Sequence, residues 1–232
     1  MAEDFEGRHV VVTGGAGALG RVVSAALLRA GAHVHIPAFT EADRTAAAAL
    51  GADRVTVAAG IDLADPAAVD GFYAALPALW ASVHLAGGFA MAGLAETSAA
   101  DMQRMWAMNA MTCFLCCKAA AGRMDGGGRI VNVAARPALE PRTGAGMVAY
   151  TATKAAVAAM TAALGEELAD KGILVNAVAP SIIDTPANRA AMPKADPAKW
   201  VTPETLAAAI LYLAGPANTA VRGTVLTAYG RS

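Results

Sequence analysis

His9-Val10-Val11-Val12-Thr13-Gly14-Gly15-Ala16-Gly17-Ala18-Leu19-Gly20 sets a β-branched run directly against a glycine-rich turn. The run reads as a short buried strand. Gly15, Gly17 and Gly20 match G-x-G-x-x-G, and residues from about Leu19 to Ala30 read as the helix that the turn opens, with Gly31 ending it. In this strand–turn–helix setting, glycines let the backbone approach a pyrophosphate. The helix N-terminus adds N–H groups and partial positive charge. A dinucleotide is the expected ligand; the competing reading is a tight turn that binds nothing.

Downstream, strands and helices alternate. Ala32–Ile36, Arg54–Val57, Ser82–Ala86, Arg129–Val133, Ile173–Val178 and Thr224–Ala228 read as further strands. Helices are expected over Glu41–Leu50, Pro66–Leu76, Asp101–Met124, Met147–Asp170 and Pro203–Ala214. The strands are continuous apolar runs and do not alternate, as in a parallel sheet covered on both faces. The pattern predicts an α/β fold over residues 1–232: a single Rossmann domain with a doubly wound, seven-stranded parallel sheet. Ser181–Val201, with Pro186, Pro193 and Pro197, is long for a connection and reads as a substrate-covering segment.

Tyr150-Thr-Ala-Thr-Lys154 places a phenol and an ammonium four positions apart, on one helix face. A nearby cation favours the phenolate, so Lys154 is expected to lower the Tyr150 pKa and fit it for general acid–base work. At the nucleotide end, Asp62 follows the third strand and could accept a hydrogen bond from an adenine amino group, or simply order its loop. A ribose-binding carboxylate is expected near position 38, where Ala38 stands. No arginine replaces it unless Arg44 reaches back, so NAD and NADP both remain open.

The bulk numbers exclude several classes. Eighteen basic and nineteen acidic residues give a formal charge of −1, which offers nucleic acid no footprint. No apolar stretch approaches the roughly 20 residues that span a bilayer. The acidic start, Met1-Ala-Glu-Asp-Phe-Glu, has no signal-peptide core, and a cytoplasmic protein is expected. Cys113, Cys116 and Cys117 cluster in an expected helix with no second Cys/His pair nearby, so they read as packed thiols and no metal is expected. Met102, Met105, Met108 and Met111 recur at helical spacing and read as core packing.

Over almost its full length the chain resembles the short-chain dehydrogenase/reductase superfamily. Thr13-Gly14-x-x-x-Ala18-x-Gly20 is similar to that family's glycine turn, with Ala18 for one glycine. Ala86-Gly87 matches the end of its Asn-Asn-Ala-Gly, His84 and Leu85 taking the asparagine positions. Asn109 matches its helix asparagine, Tyr150 and Lys154 its catalytic pair, and Asn176-Ala-Val-Ala-Pro180 with Thr185 its nicotinamide-closing segment. The family's serine after the fifth strand is missing: Ala134 and Ala135 stand there, and Thr143 is the one hydroxyl before Tyr150. A local stretch, Asp184–Asp196, together with Ala86-Gly87-Gly88-Phe89, resembles the dihydropteridine reductases, which also lack the serine.

The resemblance implies hydride transfer with NAD or NADP. Tyr150, Lys154 and Asn109 would be catalytic, Asn109 holding a water beside Lys154. Gly14, Gly15, Gly17, Ala18, Leu19, Gly20, Asp62, Leu63, Ala86, Gly87, Tyr150, Lys154, Pro180, Ile183 and Thr185 would bind the cofactor. A small molecule would be the substrate, pterin-like or quinonoid, or a ketone or alcohol as in the wider family. A redox-inactive NAD(P)-binding sensor is the third reading. Arg136, Glu140, Arg142, Asn188 and Arg189 flank the expected cleft. A homodimer or homotetramer is implied, paired through the helices that carry Asn109 and Tyr150.

Overall fold

The computed structural model describes residues 4–51 and 53–232; Met1–Glu3, which open the acidic N-terminal stretch, lie outside them. Seven strands form one parallel sheet: β1 His9–Thr13, β2 His33–Ala38, β3 Val55–Ala59, β4 Ala81–His84, β5 Gly128–Val133, β6 Ile173–Pro180 and β7 Val225–Ala228. Their spatial order is β3-β2-β1-β4-β5-β6-β7. The order reverses between β1 and β4, where Thr13 pairs with His84. In such sheets the crevice beyond the carboxyl ends at that reversal is the ligand site.

The helices are α1 Ala18–Arg29, α2 Glu41–Ala48, α3 Pro66–Ala74, α4 Ala99–Met105, α5 Thr112–Ala121, α6 Arg136–Leu139, α7 Val148–Glu167, α8 Pro186–Ala191 and α9 Pro203–Ala214. Local chemistry sets their starts. Thr40 with Asp43 and Ser98 with Asp101 form reciprocal capping boxes, and Thr202 caps α9 ahead of Pro203. Val10 and Val12 pack with Leu27, Leu206 and Ile210, whereas Val11 packs with Phe72, Cys117 and Val157. Successive residues of β1 thus feed opposite cores, one under α1 and α9, the other under α3, α5 and α7. This two-sided burial is why the strands carry no polar alternation.

Two expectations change. The long helix expected over Asp101–Met124 is broken by a π-helical turn, Trp106–Met111, between α4 and α5. Such turns insert a residue and are often functional; this one carries Asn109. The methionine stripe is not core: Met105 is buried, but Met102, Met108 and Met111 are each 37% exposed. The π turn breaks the helical register on which a single buried stripe depends. The Ser181–Val201 segment is also more ordered than its prolines suggest. It holds α8 and a short helical turn at Pro197–Lys199, and is pinned by a bridge between Ile183 and Val201.

Candidate active site

Close approach explains Gly14, Gly15 and Gly20 after β1. Gly14 has φ +65°, and a β-carbon there would stand 2.8 Å from the Ala86 nitrogen. On Gly15 it would meet Ile36 at 2.9 Å, and on Gly20 it would lie 2.0 Å from the Gly14 carbonyl oxygen. The turn is thereby pressed against the ends of β2 and β4, and Thr13 Oγ1 accepts the Ala86 N–H at 3.1 Å. Gly17 begins α1 with no side-chain cap. The first N–H groups of α1 therefore remain for an anion, and Ala18 and Leu19 belong to this first turn. These features fit the pyrophosphate of a dinucleotide.

At the adenosine end, Asp62 is exposed and Oδ1 accepts the Ala64 N–H at 2.9 Å. Leu63 packs against the core below. Arg44 does not reach back to position 38: its guanidinium pairs with Glu41, one turn earlier on α2. Ala38 closes β2, and Phe39 beyond it is 64% exposed. We expect Ala38→Asp to raise the NADH-over-NADPH ratio of kcat/KM by roughly 10- to 100-fold, the worth of a charge-assisted hydrogen bond to a ribose hydroxyl. Steady-state kinetics with both cofactors checks it; an unmoved ratio removes position 38 from cofactor choice.

The chemical end is built where β4, the π turn and α7 meet. Asn109 is buried; its Oδ1 accepts the Gly88 N–H at 3.0 Å and its Nδ2 donates to the Gly88 carbonyl at 3.1 Å. Nδ2 also reaches Thr153 Oγ1 at 3.3 Å. The side chain clamps the Ala86-Gly87-Gly88 loop. A β-carbon on Gly87 would come within 2.6 Å of Asn109 Oδ1 and 3.6 Å of Lys154 Nζ. Gly88 in turn leaves space for Met108, whose sulfur would stand 1.9 Å from a β-carbon there. The sequence signal for this clamp was the double glycine ahead of Phe89.

Lys154 is buried, and its Nζ donates to the Val133 carbonyl at 2.8 Å. Burial lowers its pKa to about 8, against an opposing attraction from Cys113. Nζ lies 6.0 Å from the Tyr150 ring centre. Phe89 meets that ring edge-on at 5.0 Å. Tyr150 itself differs from expectation: burial pushes its pKa up to about 12. Desolvation of the phenolate sets this shift, and the Lys154 ammonium gives its hydrogen bond to Val133.

A sequence profile of short chain dehydrogenases matches residues 8–196. The chain is a short-chain dehydrogenase. Relatives in that family include galactitol 2-dehydrogenase of Rhizobium johnstonii, 35% identical, with 96% of this chain and 93% of that protein covered. Sorbitol dehydrogenase of Cereibacter sphaeroides is 34% identical over 78% of this chain and 72% of that protein. Among solved structures, a short-chain dehydrogenase described as a glucose/ribitol dehydrogenase from Brucella melitensis superposes with TM-score 0.88 at 29% identity, covering 100% of this chain and 98% of that one. A candidate NAD(P)-dependent gluconate 5-dehydrogenase from Beutenbergia cavernae, with NADP at low occupancy, gives 0.89 at 29% identity over 99% and 98%. As a short-chain dehydrogenase the chain is an NAD(P)-dependent oxidoreductase.

The remaining site candidates scatter. Pro180 ends β6 in the interior, Ile183 bridges to Val201, and Thr185 Oγ1 caps α8 by accepting the Asn188 N–H at 3.2 Å. Three of the four charged residues expected at the cleft are engaged in ion pairs. Arg136 pairs with Glu140 at 2.8 Å, and Arg189 pairs with Asp184 at 2.6 Å. Asn188 donates to the Ile183 carbonyl. Thr143 is exposed and donates to the Glu140 carbonyl at 2.8 Å, so it does not stand in for the missing serine. Arg142 lines a cavity of about 390 Å³ with Ala92, Leu94, Pro141, Val148 and Thr151.

Proposed function

We propose that this short-chain dehydrogenase is a reductase of a planar, conjugated acceptor, quinonoid or pterin-like, with Tyr150 as the proton donor. The carrying observation is the missing hydroxyl after β5. Ala134 packs into the core under α5 and α7, so the missing serine corresponds to Ala135, which is buried and apolar. A ketone would lose one donor to its developing oxyanion, worth roughly 3 kcal/mol. An imine-like or quinonoid centre builds less oxyanion character and tolerates that loss. The entrance agrees: Phe89, Met91 and Leu94 are 62%, 68% and 82% exposed, an apolar surface for a ring and a poor one for a polyol.

Gly14 to Gly20, Asp62, Leu63, Ala86, Gly87, Pro180, Ile183 and Thr185 would hold NAD or NADP, with Ser181–Val201 covering the substrate. When bound, the nicotinamide exchanges the hydride. The high pKa of Tyr150 keeps the phenol protonated at neutral pH, the form that donates in reduction. As that proton leaves, Lys154, still a cation below about pH 8, stabilises the phenolate. Asn109 holds the loop that keeps Gly87 open beside both.

The second reading, polyol oxidation, rests on the sorbitol and galactitol dehydrogenases among the relatives. NADH or NADPH oxidation is to be measured with quinonoid dihydropterin, quinones and ketones, and NAD(P) reduction with sorbitol and galactitol. Turnover with the conjugated acceptors is the expected result, and Ala135→Ser should raise ketone turnover by roughly a hundredfold. Robust polyol oxidation with no response to conjugated acceptors overturns the first reading in favour of the second.

Self-association through the π turn, α5 and α7 belongs to the same proposal. Trp106, Met111 and Phe114 are 43%, 37% and 44% exposed, in one apolar groove with Ala156, Ala159 and Met160. Light scattering that returned a monomer would remove the homodimer or homotetramer. Among the described residues, no helix is long and apolar enough to cross a membrane.

A further inference from the structure

Cys113-x-x-Cys116 alone reads as packed thiols, but the fold groups the sulfurs differently. Cys113 and Cys117, one turn apart on α5, face His84 at the end of β4. One ligand atom from each of the three lies within 4.8 Å of the other two, and all three residues are buried. Cys117 Sγ stands 3.6 Å from His84 Nδ1 and 3.5 Å from Asn132 Oδ1. Tetrahedral zinc, with bonds of about 2.3 Å to sulfur and 2.0–2.1 Å to nitrogen, spaces such a pair at about 3.5 Å. All three cysteines are free.

The surroundings orient the imidazole as ligating histidines are oriented. His84 Nε2 is 2.8 Å from Ser82 Oγ, which is 2.8 Å from the Tyr73 hydroxyl. On the other side, Asn132 Oδ1 lies 2.8 Å from His84 Nδ1, while Asn132 Nδ2 donates to Thr161 Oγ1 at 3.0 Å. That donation fixes the amide with Oδ1 towards the cluster, where it accepts the His84 Nδ1 proton until a cation binds. Ser82, Asn132 and Thr161 are each 0% exposed.

We propose that His84, Cys113 and Cys117 bind one Zn²⁺-class cation, with Asn132 Oδ1 in the fourth position. Each thiol releases a proton to solvent. On binding, the imidazole proton moves from Nδ1 to Nε2, where it donates to Ser82, and Nδ1 and the Asn132 oxygen turn from each other to the cation. No redox change occurs. The site is closed, leaving no position for substrate, and is structural. It ties α5 to β4 and β5 directly behind Ala86 and Gly87, and it does not depend on which substrate is reduced.

The test uses Co²⁺ as a spectroscopic probe of the reduced, full-length protein, equilibrated until the spectrum is constant. One equivalent should give thiolate-to-cobalt charge-transfer bands and tetrahedral visible bands, displaced by one equivalent of Zn²⁺. Cys116→Ser should keep them, and Cys117→Ser should lose them. Ser82→Ala should weaken Co²⁺ binding by roughly 10- to 100-fold with unchanged circular dichroism. Absence of charge-transfer bands in the wild type overturns the proposal whatever the variants do. So does loss of the bands in Cys116→Ser to the same extent as in Cys117→Ser.

Discussion

Tyr150→Phe lowers kcat for NAD(P)H-dependent reduction by roughly 10²- to 10⁴-fold, the usual contribution of a positioned general acid. Cofactor affinity, measured by quenching of protein fluorescence, stays at the wild-type level. The two halves of this expectation have separate structural causes. In the proposed site the dinucleotide would be held by the backbone of the β1–α1 turn, where Gly14 and Gly20 allow close approach and no side chain caps the helix. The phenol oxygen contributes nothing to that cradle. Phe keeps the ring, and with it the edge contact to Phe89 at 5.0 Å. A variant that binds NADH normally and turns over normally would remove Tyr150 from the chemistry. A variant that fails to bind would mean that the ring had moved.

The resting protonation state follows from the same residue. At about 12, the Tyr150 pKa lies above the model-peptide value of about 10. The phenol is therefore the resting form across the physiological range, and reduction starts from the correct protonation state.

How much of this was legible in the sequence varies with the length scale of the cause. The β1 turn was legible because its cause is local: consecutive residues decide whether backbone can approach phosphate. The seven-stranded parallel sheet was legible because β-branched apolar runs alternate with helical stretches. The π turn at Trp106–Met111 was not, since nothing in Trp-Ala-Met-Asn-Ala-Met differs from ordinary helix; packing of Asn109 onto the Gly88 loop accompanies it. The raised pKa of Tyr150 was missed because Tyr-x-x-x-Lys gives the spacing but not the direction of the ammonium. Lys154 points at Val133, a residue 21 positions away. His84 meeting two cysteines on α5 is likewise a product of the sheet, invisible to a search for adjacent pairs.

Lys154→Met should separate activity from stability. Activity falls by roughly 10²- to 10³-fold, because the phenolate formed on Tyr150 loses its buried counter-charge. Stability at pH 7 does not fall with it. Burial takes the Lys154 pKa from 10.5 to about 8, which corresponds to a penalty of about 3 kcal/mol on the folded state while the ammonium is charged. Methionine removes that penalty but leaves the Val133 carbonyl without its donor, at roughly 1–3 kcal/mol. The two terms nearly cancel at neutral pH, or favour the variant. As pH rises from 8 towards 10.5 the unfolded wild type holds the lysine proton that the folded state has released, so wild-type stability increases. The variant has no such term. Titrating groups that do not interact with Lys154 are common to both proteins and drop out of the difference. Urea denaturation at pH 7, 8, 9 and 10 should therefore show the wild type gaining on the variant and overtaking it by pH 10. A difference that stays flat across this range would mean that Lys154 is solvated in the folded protein, and would remove the buried cation on which the acid role of Tyr150 depends.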